Sequence, residues 1–147
     1  MKIRRAKLTD FRRMVAMDPF AQANKARQIL LRESIRARIA WVLASGTALK
    51  GYAVLTRSFL QRPFVEVLYV AKEERRRGHG LCLLARMEKL CMRYGEVWTS
   101  TNRSNQPMRP LLKKRGVLRQ GEVDGLDQGD PEVFYSKRLS RKKPLRA

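Results

Sequence analysis

Residues 64–81 constrain this chain more than any other stretch. Phe64-Val65-Glu66-Val67-Leu68-Tyr69-Val70 is rich in β-branched and aromatic side chains and reads as a strand. From Gly80 to Tyr94 apolar residues recur at helical spacing, with Leu83, Met87, Leu90, Cys91 and Tyr94 on one stripe. Between them lies Ala71-Lys72-Glu73-Glu74-Arg75-Arg76-Arg77-Gly78-His79-Gly80-Leu81, a basic loop whose two glycines open the helix. Such a loop suits phosphate. First-turn amides lack helical partners and the helix dipole favours an anion. Glycine lets the backbone approach a ligand, and arginine adds charge-assisted hydrogen bonds. Two common nucleotide loops fail on residue identity. A dinucleotide fingerprint needs glycine where Leu83 stands, and a Walker-type loop from Gly78 needs glycine at Leu83 and lysine at Leu84. What remains is Arg75, two residues, Gly78, one residue, Gly80. Alone, that pattern also fits a basic turn capping a helix.

The rest of the chain frames this loop. Lys2 to Lys7 reads as an edge strand, and Thr9 as the N-cap of a helix that Asp18-Pro19 stops after Met17. Gln22 to Arg36 reads as a second helix. Ile39 to Ala44 and Ala48 to Thr56 form a hairpin around Ser45-Gly46-Thr47. Downstream come a strand over Glu96 to Thr101, a short helix over Asn105 to Arg115 weakened by Pro110, and strands over Val117 to Val123 and Glu132 to Arg138. The order β-α-α-β-β-β-α-β-α-β-β predicts a mixed α/β (α+β) domain. Its mostly antiparallel sheet has about seven strands, flanked by about four helices, with one β-α-β crossover over 64–101. One domain over residues 1–139 is expected, followed by a disordered basic tail over 140–147.

Composition narrows the function classes. The chain has 147 residues, 33 Lys plus Arg against 13 Asp plus Glu, and a formal charge of +20. That field attracts polyanions, coenzymes with phosphates among them, so charge alone does not separate an enzyme from a nucleic-acid binder. No helix-turn-helix, zinc-finger or RNA-binding aromatic motif is present, and aromatics are 7%. A single histidine, His79, argues against a Cys/His metal site. Cys82 and Cys91, about 13 Å apart along one helix, are too distant for a disulfide and read as reduced core residues. No apolar run approaches the roughly 20 residues of a membrane span, and the N-terminus lacks the apolar stretch of a signal peptide. Cytoplasmic residence is the expectation.

Arg75-Arg76-Arg77-Gly78-His79-Gly80 resembles the acetyl-CoA signature of the GNAT superfamily of N-acetyltransferases: Gln or Arg, two residues, Gly, one residue, then Gly or Ala. The resemblance extends over residues 1–139 through strand order, the hairpin before the signature, Asn105 and Gly116. It implies that acetyl-CoA is the acyl donor; with the single histidine, no metal is expected. By position, Arg75, Arg76, Arg77, Gly78, His79, Gly80 and Leu81 border the pyrophosphate. Leu68, Tyr69 and Val70 lie along the pantetheine arm, and Asn105 contacts the coenzyme. The family often carries a tyrosine acid in the pattern Asn-x-x-Ala-x-x-Leu-Tyr-x-x-x-Gly-Phe. Here the tyrosine position is Leu112, so Tyr135 or Tyr69, or water, is the replacement.

The reaction so implied moves an acetyl group to a primary amine of a small molecule or protein by direct attack. Glu66 is the candidate base, as a carboxylate in mid-strand among apolar neighbours. A solvated side chain or an ion pair with an arginine is the alternative. Five of the thirteen acids fall between Glu122 and Glu132; they either receive a cationic amine or make turns. The rival readings are a basic nucleic-acid-binding protein and a member of the same fold that binds coenzyme A without catalysis. No membrane partner is implied, and the oligomer is open, a homodimer included.

Overall fold

A computed structural model describes residues 1–140; the expected tail lies, from residue 141 on, outside them. The elements are β1 (Lys2–Arg5), α1 (Phe11–Met17), α2 (Pro19–Ala23), α3 (Lys25–Arg36), β2 (Ala40–Ser45), β3 (Ala48–Phe59), β4 (Arg62–Val70), α4 (His79–Cys91), β5 (Glu96–Asn102), α5 (Met108–Lys114), β6 (Leu118–Val123) and β7 (Glu132–Arg138). The seven strands follow the order β1-β2-β3-β4-β5-β7-β6. Strand β2 pairs antiparallel with β1 and β3, and β7 antiparallel with β5 and β6, whereas β4 and β5 are parallel, the crossover expected around α4. Among the described residues no helix is long and apolar enough to cross a membrane.

The chain divides into two compact units. The first holds Met1–Leu55 with Glu66–Leu84, and the second holds Thr56–Val65 with the described residues from Ala85 on.

In the first unit β1 pairs with β2 from Lys2 opposite Ala44 to Arg5 opposite Trp41, and β2 pairs with β3. Alternation along β2 and β3 turns Val42, Tyr52 and Val54 toward Met14, Leu31 and Ile35 of the helices, and these residues form its core. Where one helix over Gln22 to Arg36 is expected, there are two. Asn24 leaves helical geometry and its side chain accepts from the Arg27 amide at 2.9 Å, capping α3. Asp18 does the same for α2, accepting from the Phe20 and Ala21 amides at 3.0 and 3.3 Å. Its other oxygen receives the Tyr52 hydroxyl and, at 3.4 Å, the Arg27 guanidinium. Asp18 and Tyr52 are both buried. Burial first, and the Asp18 carboxylate second, raise the Tyr52 hydroxyl above the usual tyrosine range.

Asp10 anchors the start of the unit. It accepts from Arg4 at 2.7 and 3.1 Å, from Arg13 at 2.7 Å and from the Lys7 amide at 2.8 Å. Asp10 thus closes the turn expected of Thr9. The Arg4 hydrogen bonds hold its carboxyl below the usual aspartate range. A depressed folded-state value contributes stability above the unfolded aspartate value of about 3.9, and that contribution disappears as pH falls through the folded value. Asp10→Asn is therefore expected to lower stability at neutral pH and to flatten its decline on acidification. Urea midpoints between pH 7 and 3 check this, and parallel curves would refute it.

In the second unit β7 pairs with β5 along its length, from Glu132 opposite Asn102 to Arg138 opposite Glu96, and with β6 on its other side. Phe59, Phe64, Trp98 and Phe134 form an aromatic cluster, with neighbouring ring centroids 4.7 to 6.4 Å apart. The buried Glu88 of α4 ties α5 and β7 together through Arg115 at 2.7 Å and through Lys137. Helix α5 begins at Met108, later than expected, so Pro110 is its third residue. The missing amide of Pro110 therefore falls in the first turn, where no helical partner exists, and the helix tolerates it. Cys82 is exposed and not in the core, whereas Cys91 is buried, and burial pushes its thiol up to about 12.

Candidate active site

The loop after β4 is built by local geometry. Ala71 is buried, a short turn covers Lys72–Glu74, and the chain passes through left-handed conformations at Arg76 (φ 62°) and Gly78 (φ 80°). Nothing lies within 4 Å of a Cβ added at Gly78, so backbone conformation alone calls for glycine there. The first bond of α4 runs from the Cys82 amide to the Gly78 carbonyl at 3.0 Å. Helix geometry leaves the amides of His79, Gly80 and Leu81 ahead of it without intrahelical partners. These amides open a thirteen-residue helix, a geometry that suits an anion.

The charged side chains of the loop differ in what they do. Arg75 turns back onto β4: its Nε donates to the Val70 carbonyl at 3.1 Å and its guanidinium lies 5.5 Å from the Tyr69 ring centroid. Arg76 is exposed and carries no ion pair among the described residues. Arg77 meets Glu74 at 3.2 Å. His79 is buried, at 6% exposure, with Nε2 3.4 Å from the same carboxylate. Lys50 of β3 reaches it too, at 2.7 Å. Glu74 is thus the hub of three basic groups. Lys50 above all holds its carboxyl below the usual glutamate range. Sequence reading missed this residue.

Upstream, Leu68, Tyr69 and Val70 are half-buried at the end of β4. The Tyr69 ring lies 5.7 Å from that of Tyr52. Gly51 on β3 lets the main chain of β4 and the Leu83 side chain lie close: a Cβ there would stand 2.6 Å from the Tyr69 carbonyl oxygen and 3.1 Å from Leu83. Glu66 is exposed between the buried Val65 and Val67, and has no hydrogen bond or ion pair among the described residues. Of the two alternatives to a base, the structure holds the solvated side chain and not the ion pair.

The remaining candidates belong to the second unit. Asn105 is exposed ahead of α5; its amide nitrogen Nδ2 donates to Thr101 Oγ1 at 2.8 Å and its backbone closes the turn into the helix. Tyr135 on β7 is half-buried and lines a cavity together with the buried Leu112. Three of the five acids of 122–132 serve their own chain. Asp127 accepts from Asn102 at 2.8 Å, Asp130 from the Ser104 amide at 3.1 Å, and Glu122 meets Arg103 and Arg119 at 3.5 and 3.3 Å. Among the described residues no group of three His, Cys, Asp or Glu is placed to hold a metal ion.

Residues 5–117 match the acetyltransferase (GNAT) family. The chain belongs to that family. It is accordingly an acyltransferase of a family that uses acetyl-CoA. Solved structures share the fold. A GNAT-family acetyltransferase from Bacillus cereus superposes with a TM-score of 0.83 at 24% identity, covering 95% of this chain and 98% of that one. A ribosomal-protein-alanine N-acetyltransferase from Brucella melitensis gives 0.75 at 21% identity over 95% and 100%. YncA of Salmonella typhimurium, solved with its cofactor acetyl-CoA, gives 0.76 at 20% identity over 100% and 98%. No curated protein matches the chain.

Proposed function

We propose that this GNAT-family protein transfers the acetyl group of acetyl-CoA to a primary amine by direct attack, without an acyl-enzyme. The observation that carries this reading is the α4 cradle: two left-handed loop residues, first-turn amides without helical partners, and the unpaired Arg76 beside them. The donor's pyrophosphate fits the amides of Gly78, His79, Gly80 and Leu81, with Arg76 and Arg77 adding charge. Arg75 fixes the loop against β4, and the main chain of Leu68, Tyr69 and Val70 is available to the pantetheine arm. Asn105 is a further polar contact to the coenzyme. When bound, acetyl-CoA supplies an acyl group already activated as a thioester.

The chain's own tasks are then positioning and proton movement. Glu66, exposed and unpaired, accepts the proton shed by the attacking nitrogen, directly or through water. A thiol titrating near ~8.5 leaves without a strong acid. Tyr135, which shares a cavity with Leu112, is the hydroxyl proposed to assist it.

Calorimetric titration with acetyl-CoA tests the binding step. Stoichiometric micromolar binding that survives moderate salt is expected, with ATP and a short RNA as weaker controls. Binding to RNA alone, collapsing with salt, would overturn the reading. For the proton, Glu66→Gln is expected to cut kcat by about 100-fold with the KM for acetyl-CoA unchanged. Full turnover in that variant would remove Glu66 from the mechanism.

A further inference from the structure

Helix α5 and strands β6 and β7 of the second unit enclose a groove of about 470 Å³. Small binding sites span roughly 300–1,000 Å³, so its size is that of a site for a ligand or a few side chains. Its floor is aliphatic. Leu112, Val117 and Val133 are buried, and Leu118 of β6 stands 66% exposed at the side. Its rim is cationic: Arg103, Arg109, Lys113 and Arg119 face one carboxylate, Glu122.

Those cations are not equally engaged. Arg103 and Arg119 converge on Glu122 at 3.5 and 3.3 Å, which shows that this pair can seat a carboxylate. Arg109 donates to the Arg103 carbonyl at 2.6 Å and meets no acid among the described residues. Lys113, at the exposed end of α5, has no partner among them. Among the described residues strand β6 is the edge of the sheet and pairs only with β7, so main-chain donors and acceptors remain along its outer side.

We infer that the groove binds an extended acidic segment of another protein, one that sets an apolar side chain between carboxylates. The carboxylates meet Arg109 and Lys113, the apolar side chain covers Leu118 and the aliphatic floor, and the free edge of β6 is open to strand addition. Charge complementarity selects the sign of the partner. The floor selects peptide over RNA. Bases bind by stacking on aromatic rings, and of the residues lining this groove only Tyr135 has one. The groove shares Tyr135 with the proposed transfer site, but the inference uses neither its hydroxyl nor acetyl transfer.

The test is fluorescence anisotropy with the full chain. The probe is a C-terminally labelled peptide of alternating glutamate and leucine, N-terminally blocked so that it offers no amine. Saturable binding at moderate salt is expected. The double variant Arg109→Glu, Lys113→Glu is expected to bind about tenfold more weakly. Glu122→Gln, which releases Arg103 and Arg119, is expected to bind about threefold more tightly. Replacing the peptide's leucines by serine is expected to cost about tenfold. Equal affinity for the double variant, or for the serine peptide, would overturn the proposal. So would a single-stranded RNA of equal charge that binds more tightly than the peptide and is weakened by the same double variant. Circular dichroism of each variant keeps a folding defect from standing in for a binding defect.

Discussion

Gly80→Asp is expected to weaken acetyl-CoA binding about 100-fold, close to 2.7 kcal/mol, with the fold intact. Gly80 is buried and is the second residue of α4, inside the cradle of first-turn amides. A carboxylate at that point competes with the donor's pyrophosphate for the same N–H groups and repels it. The same carboxylate at a helix N-terminus is favourable for the helix itself, because it lies at the positive end of the dipole. Desolvation of a carboxylate at this buried position offsets that gain, so binding is expected to fall while the fold holds with little net change. Calorimetry reads the first and urea denaturation the second. Unchanged affinity would remove the phosphate cradle from α4, and a collapse of the fold would show that Gly80 matters for packing.

The largest expected loss of stability follows from Asp18→Ala. Its carboxylate takes the Phe20 and Ala21 amides on one oxygen and Tyr52 and Arg27 on the other, and it is buried. Alanine leaves a fully buried tyrosine hydroxyl and two helix amides without their acceptor and removes the charge facing Arg27. Each orphaned buried donor costs about 1–3 kcal/mol, so a loss of about 3 kcal/mol is expected after relaxation. Asp18→Asn keeps an acceptor for the α2 amides and is expected to lose roughly half as much. Urea midpoints at neutral pH measure both. A loss below about 1 kcal/mol for alanine would mean that Tyr52 finds another acceptor.

The sequence carried the skeleton of this fold because its signals are local. The β-prone apolar run over 64–70, the apolar stripe from Leu83 to Tyr94 and the paired glycines at 78 and 80 each sit within a few residues. The strand over Glu132–Arg138 was read to its observed ends. What escaped depends on partners far along the chain. Asp18 with Pro19 reads as a helix stop, which it is, but nothing local says that Tyr52 will lie against it. Glu74 gains its role from Lys50, a strand away. The hairpin between β3 and β4 turns at Leu60 and Gln61, both with positive φ and neither a glycine. Strand pairing imposes that turn against residue preference. Asn24 is the opposite case. Asparagine is a strong capping residue, and reading it as a cap inside Gln22 to Arg36 would have divided that helix.

Glu74 also changes what the +20 of this chain means for its ligand. Three of the basic groups at the loop are not vacant: one internal anion already holds Lys50, Arg77 and His79, while Arg76 has no ion pair among the described residues. A phosphate arriving beside Arg77 enters an exchange, carboxylate for phosphate, in place of simple accretion on a bare basic surface. Far fewer bound counterions are shed in such an exchange than the inventory of arginines would imply. Selectivity then belongs to an anion that can outbid the resident one by engaging the helix amides as well, which a diffuse polyanion held by charge alone does not do.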